Sequence, residues 1–244
     1  MRNGLLSVKS FCLGLLILIL IFGIDSAARA ELKEEGMYFS ILGVENRIGG
    51  DFEGVVTGKF VDSTVFCRFP KIEDGRGFEI LIGGYKGKIA GEVYYSCSNH
   101  DTSFIFSDFN GNGFYDVGEE AVYKKDGECQ VIGGNIKYYF ANLFRNNIRA
   151  FGEFGIFVPQ ITMENGAYQE NSYHNTADVT FTGYGADLGL GVLIHLHPNL
   201  AVTGRAAFRY IRIKEATAFG QERVPMDRME GTGRSYSIGL NYYF

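Results

Sequence analysis

The stretch Ser235-Tyr236-Ser237-Ile238-Gly239-Leu240-Asn241-Tyr242-Tyr243-Phe244 decides the fold. Tyr236, Ile238, Leu240, Tyr242 and Phe244 share one parity, while Ser235, Ser237, Gly239 and Asn241 share the other. Successive side chains of a strand point to opposite faces, so this segment has one apolar and one polar face. Apolar-out, polar-in alternation is what a strand facing lipid requires. A soluble sandwich strand alternates too, so the rest of the chain has to choose between the two.

The same pattern recurs upstream. In 182–196, Tyr184, Leu188, Leu190, Val192 and Ile194 alternate with Gly183, Asp187, Gly191 and His195. In 200–210, Val202, Ala206, Phe208 and Tyr210 oppose Thr203, Arg205 and Arg209. Segments 131–140 and 148–158 alternate likewise, and weaker runs occupy 37–47, 77–86 and 88–98. Together these make eight segments of about ten residues, the length a tilted strand needs to cross a bilayer. Three connections are short: near Gly87-Lys88, from Asn142 to Asn147, and around Pro198-Asn199. Four are long and polar, roughly 49–76, 99–128, 164–179 and 215–231, and the two kinds alternate strictly. Short periplasmic turns and long outer loops are the arrangement of outer-membrane barrels. The expected fold is all-β, an eight-stranded antiparallel up-and-down transmembrane barrel with both chain ends in the periplasm.

The face opposite the apolar one carries Glu79, Glu92, Lys137, Glu153, Asp187, Arg205 and Arg209, with Glu45 and Arg47 as candidates to join them. Mixed charges would be costly inside a soluble barrel core. In a narrow membrane barrel they pair with one another, and the lumen of about eight strands is just filled by side chains. Such charges either line a selective pore or plug the barrel, and the small diameter favours a plug.

Composition fits an exported barrel. Glycine (33 residues) and aromatics (15 %) are high, proline (4) is low and tryptophan is absent. Arg2 and Lys9 precede an apolar run from Phe11 to Ile24 and an Ala28-Arg29-Ala30 cleavage pattern. Residues 1–30 are therefore expected to be a signal peptide, and 31–244 the barrel domain. The net charge of −5 offers no case for nucleic acid as a partner.

Gly83-Gly84-Tyr85-Lys86, Lys137 to Phe140 with Arg149 to Gly155, and the closing Tyr236 to Phe244 resemble the opacity-protein/OmpA-like eight-stranded outer-membrane barrels. The likeness spans nearly all of 36–244. It implies a bacterial outer-membrane location, with membrane lipids as surroundings. It also implies that the aromatic end, Tyr242 and Phe244, is the signal read by the assembly machinery. Members of this family serve as anchors, adhesins and surface antigens, so an extracellular ligand or host surface is the implied partner. A fold settles no activity, however.

Two other function classes are weighed. A small pore is one. The other is a lipid A-modifying enzyme, which needs a serine with a histidine and an acid near the outer leaflet. Ser98 stands two residues before His100, and Ser172 before His174, a spacing too common to carry catalysis. No catalytic residues are assigned, and a non-enzymatic surface role is expected. Cys97 and Cys129 end and begin adjacent predicted strands, which suggests a disulfide, with Cys67 as a competitor. The sharpest local motif runs from Asp108 to Glu119 and fits the calcium-loop pattern D-x-[DN]-x-[DN]-G-x5-E. Asp108, Asn110, Asn112, Asp116 and Glu119 would supply side-chain oxygens, and Phe114 its carbonyl. Its competing reading is an ordinary turn rich in Gly, Asn and Asp.

Overall fold

The computed structural model describes residues 35–52, 57–59, 66–107, 121–143, 147–170, 173–218 and 224–244. The expected signal peptide and the candidate calcium loop 108–119 lie outside these residues. Every described residue belongs to a strand or a short connection.

Eight strands close into an antiparallel up-and-down barrel. β1 (Glu35–Gly50) pairs with β4 (Gly75–Lys86), which pairs with β5 (Ile89–Ser107). The wall continues through β6 (Ala121–Leu143), β7 (Ile148–Glu170), β8 (Tyr173–His197) and β9 (Leu200–Ala218). β10 (Val224–Tyr243) then pairs with both β9 and β1, and no edge remains in the wall. The closing register sets Tyr38 opposite Tyr243 and Gly50 opposite Gly231. At the Gly87 turn a positive φ of 58° suits glycine, which has no Cβ to clash there.

Around the middle of the wall the apolar parity faces outward. Val93, Ile132, Ile156, Leu188 and Leu190 are each about two-thirds exposed. Large exposed aliphatic side chains in a continuous belt belong against lipid, not water. Aromatic residues flank the belt: Tyr184 and Tyr236 towards the outer end, Tyr138, Phe140 and Phe244 towards the periplasmic one.

Two features depart from the sequence expectation. The strands are much longer than ten residues, and two further strands, β2 (Thr57–Lys59) and β3 (Phe66–Ile72), fill part of the expected first loop. β3 pairs with the outer end of β5. Much of the expected loops 99–128, 164–179 and 215–231 is strand as well: β7 runs to Glu170, β8 begins at Tyr173 and β9 reaches Ala218.

The physical reason is an inversion of polarity along each strand. Above the belt no lipid touches the wall, so Gln160, Thr162, Thr182 and Arg212 face outward. The inner face turns apolar instead: Ile161, Met163, Phe181, Ile211 and Ile213 are buried there with Phe52. The barrel changes from membrane-type to soluble-type patterning within a single strand. Read along the chain, that reversal weakens the alternation and resembles a loop.

Glu45 and Arg47, candidates for the lumen, face outward. On β1 the inward parity belongs to Tyr38, Ser40, Leu42, Val44, Asn46 and Ile48. Glu45 and Arg47 share the parity of Met37 and Ile41, and lie beyond the belt.

Candidate functional site

The seven inward charges are all buried, and they form one layer across the lumen. Lys137 on β6 sits between two carboxylates, its Nζ 2.6 Å from Glu92 Oε1 and 3.9 Å from Glu153 Oε2. Arg205 on β9 places Nη2 2.6 Å from Glu79 Oε2 and Nη1 3.6 Å from Glu153 Oε1. Its Nε donates to Ser237 Oγ at 2.8 Å. Arg209 grips Asp187 with two bonds, Nε to Oδ1 at 2.9 Å and Nη2 to Oδ2 at 3.1 Å. Charges taken out of water are tolerated when paired, and each of these faces an opposite charge, although Glu79 Oε1 and Glu153 Oε2 keep no hydrogen-bond partner among the described residues.

Rings cover the cations. Lys137 Nζ lies 4.7 Å from the centroid of Phe151, and the Arg209 guanidinium 4.7 Å from that of Phe157. Glycines opposite make the room: a Cβ on Gly191 would overlap the Phe151 ring, and one on Gly185 the Phe157 ring. This is why a narrow barrel needs glycine and aromatics together.

Buried side chains pack on both sides of the layer. Towards the periplasm Tyr38, Tyr85, Tyr139, Phe151 and Tyr243 stack, with ring centroids of Tyr38 and Tyr243 5.3 Å apart. Towards the outside lies the cluster around Phe52 and Phe181, whose rings meet edge-on at 6.0 Å. The sequence reading missed these clusters. Tyr38 could have been found, since it has inward parity between Met37 and Phe39.

One further group has chemical potential. Ser98 and His100, successive inward residues of β5, are hydrogen-bonded: Ser98 Oγ lies 2.9 Å from His100 Nε2. His100 Nδ1 is 2.8 Å from the Glu73 carbonyl, which can only accept, so Nδ1 carries the proton and Nε2 accepts from Ser98. Burial pulls the His100 pKa below its usual 6.5, against the Glu73 carbonyl, which favours the proton. A serine–imidazole pair with the imidazole oriented by a third group is the start of nucleophilic catalysis. Here Ser98 also accepts from Asn46 Nδ2 at 3.1 Å and is 1 % exposed. The arrangement is an internal hydrogen-bond network in which Ser98 itself is shielded from solvent.

The expected Cys97–Cys129 bridge is not formed, and both thiols are free. The register pairs Cys97 with Gln130 and Ser98 with Cys129, which puts the two thiols on opposite sides of the wall. Cys129 is buried inside, while the outward Cys97 donates to Glu128 Oε1 at 3.0 Å. A shift of one residue reverses a strand's facing, and sequence alone did not resolve it. The side chain of Cys67 lies outside the described residues, as do those of Ser172 and His174. Among the described residues no three His, Cys, Asp or Glu side chains converge as a metal site.

At the carboxyl end Tyr242 and Phe244 both face outward, their ring centroids 5.4 Å apart. The Phe244 N–H donates to the Met37 carbonyl at 3.1 Å, tying the last residue to the first barrel strand.

No protein-family model matches the chain. No curated protein sequence matches it either. Solved structures do match, at low identity. A major outer membrane protein from Thermus thermophilus is 14 % identical, covering 85 % of this chain and 99 % of its own, with a TM-score of 0.53. OprG from Pseudomonas aeruginosa is 12 % identical over 87 % of this chain and 98 % of its own, with a TM-score of 0.51. Neisserial surface protein A is 12 % identical over 87 % of this chain and all of its own, with a TM-score of 0.50. The shared feature is the fold, that of the opacity/OmpA-like outer-membrane barrels. With the lipid-facing belt, it makes this chain a transmembrane barrel of the outer-membrane type.

Proposed function

We propose that the protein is a non-enzymatic surface barrel, adhesin- or antigen-like, that works through the part of its wall standing outside the membrane. The observation that carries this reading is the length of that wall. β8 begins at Tyr173, eleven residues before the belt residue Tyr184, and β7 continues to Glu170. At about 3.4 Å per residue and a tilt near 40°, the wall rises roughly 25–30 Å above the lipid. A wall of that height, packed inside just above the belt by Phe52, Ile161, Met163, Phe181, Ile211 and Ile213, is a platform for contact with another surface.

The filled lumen supports the same reading over a pore. A conducting path would have to cross a tyrosine-rich cluster, a layer of paired charges and the apolar cluster around Phe52. The buried Ser98 supports it over an enzyme.

The test is whole-cell binding to epithelial monolayers and to immobilised matrix proteins. Cells displaying the full chain are compared with vector controls and with a variant in which 164–178 is replaced by an Asn-Gly turn. Binding above the control that disappears in the shortened barrel is expected, with heat-modifiable migration verifying its folding. Binding no better than the control, or fully retained after shortening, would sink the proposal. Conductance in planar bilayers would put the pore in its place.

A further inference from the structure

Just above the lipid belt the outward positions are divided unequally around the barrel. On four consecutive strands, β4, β1, β10 and β9, they are Arg76, Arg47, Arg234 and Arg212. On the other four, β5 to β8, the corresponding positions are Asn99, Gln130, Gln160 and Thr182. Half of the rim is an arc of guanidiniums, and half is neutral.

Within the arc, Arg47 and Arg234 are direct cross-strand partners. Like charges placed opposite each other on one sheet face destabilise the pair. The nearby acids do not neutralise the arc by hydrogen bonding. Arg47–Asp74, Arg76–Glu45 and Arg212–Glu230 are each 3.7 Å apart, longer than hydrogen bonds and exposed to solvent. Arg234 has no ion-pair partner among the described residues. Below Arg234 on the same face lies Tyr236, and beside it Phe208, both exposed in the belt. Below Arg47 lies the outward Glu45, cross-strand partner of Tyr236 and 3.7 Å from Arg76 Nε, so an anion between Arg47 and Arg234 meets aromatic wall on the β10 and β9 side only.

We infer that this arc seats a phosphorylated glycolipid of the outer leaflet, with a phosphate bridging Arg47 and Arg234 and its acyl chains lying on the belt below. Guanidinium matches phosphate oxygens with paired N–H donors, and charge-assisted bonds of this kind are stronger than neutral ones. A bridging phosphate converts the Arg47–Arg234 repulsion into two attractions. The neutral half offers only amides and a hydroxyl, so the lipid is held on one side of the barrel. Its height at the rim of the belt and the exposed rings of Tyr236 and Phe208 beside it favour a lipid headgroup over free phosphate.

The test uses the full chain, purified in octyl glucoside, with native mass spectrometry as the readout. The probes are diphosphoryl lipid A, the same lipid stripped of phosphate, and inorganic phosphate. The double variant Arg47→Ser/Arg234→Ser is compared with Gln130→Ser/Gln160→Ser from the neutral half. Diphosphoryl lipid should stay on the unaltered protein and the neutral-half variant, and fall at least about tenfold on the arginine variant. Equal retention of the phosphate-free lipid, or no loss on the arginine variant, would overturn the assignment. Complete displacement by millimolar inorganic phosphate would also overturn it, since the site would then belong to the free ion. Unfolding temperature gives an independent sign. Without lipid, the arginine variant should be at least as stable as the parent, because repulsion has been removed. It should then lose the increase that diphosphoryl lipid gives the parent. A variant less stable than the parent in bare detergent would make the arginines structural and refute the seat.

Discussion

Arg205 spans the lumen to reach Glu79, 126 residues earlier, at 2.6 Å between Nη2 and Oε2. Their strands, β9 and β4, are not neighbours, because β10 and β1 lie between them. The pair is a strut across the barrel, formed only once the wall has closed. Arg205→Ala leaves Glu79 buried and uncompensated, a change that typically costs about 3–5 kcal/mol at a dry site. The urea midpoint in detergent should fall clearly, and an unchanged midpoint would show that the strut contributes nothing to stability. Arg205→Met, which restores volume but not charge, should not rescue it while Glu79 remains. The double variant with Glu79→Gln should recover part of the loss.

Phe244 closes the last strand against the first through its bond to Met37. Its exposed ring, beside Tyr242, is what an assembly machine could grasp before the barrel forms. Deletion of Phe244 should leave the chain in the periplasm or degraded, measured by membrane fractionation. Normal insertion of the truncated chain would remove the assembly role.

The membrane part of the fold was legible because lipid enforces a strict rule on every second residue. Leu188 and Leu190 had to face out, and Asp187 in. The part above the membrane was not, since a wall between water and an apolar interior follows the opposite rule. Met163 and Phe181 therefore fell outside the alternating segments 148–158 and 182–196, next to the expected loop 164–179. The lumen charges were legible as a set, but their partners were not. Parity shows that Arg205 and Glu79 share the interior, whereas their contact depends on the stagger of eight strands. The Cys97–Cys129 expectation failed at the same level. Neighbouring strands were identified, but the sequence did not set their register, and an offset of one residue decides facing.

The segment 108–119 joins β5 to β6 and carries the calcium-loop pattern. Asp108, Asp116 and Glu119 are the carboxylates among its candidate ligands, so binding should be weak, about 10⁻⁴–10⁻³ M as in extracellular modules. Calcium is expected to slow proteolysis within 99–128, and the protection should vanish in Glu119→Ala and Asp108→Ala. Equal cleavage with calcium and with chelator in the unaltered protein would reduce the motif to a turn.

His100 gives the outer end of the barrel a defined response to acid. Folded, its pKa lies below 6.5, chiefly because burial penalises the charged ring. The unfolded chain therefore takes up a proton near pH 6.5 that the folded barrel still refuses. Stability from this group is fully present above that pH and drains away as the pH falls towards the folded value. Protonation also gives Nε2 a hydrogen aimed at Ser98, whose own proton must then turn elsewhere. Between pH 7.5 and 5.5 ordinary carboxylates stay ionised, so a fall in the urea midpoint over that window reports histidines. His100→Gln keeps a side chain able to hydrogen-bond but cannot be charged, and its midpoint should fall less over the same window. An equal fall in both proteins would assign the acid sensitivity to another group.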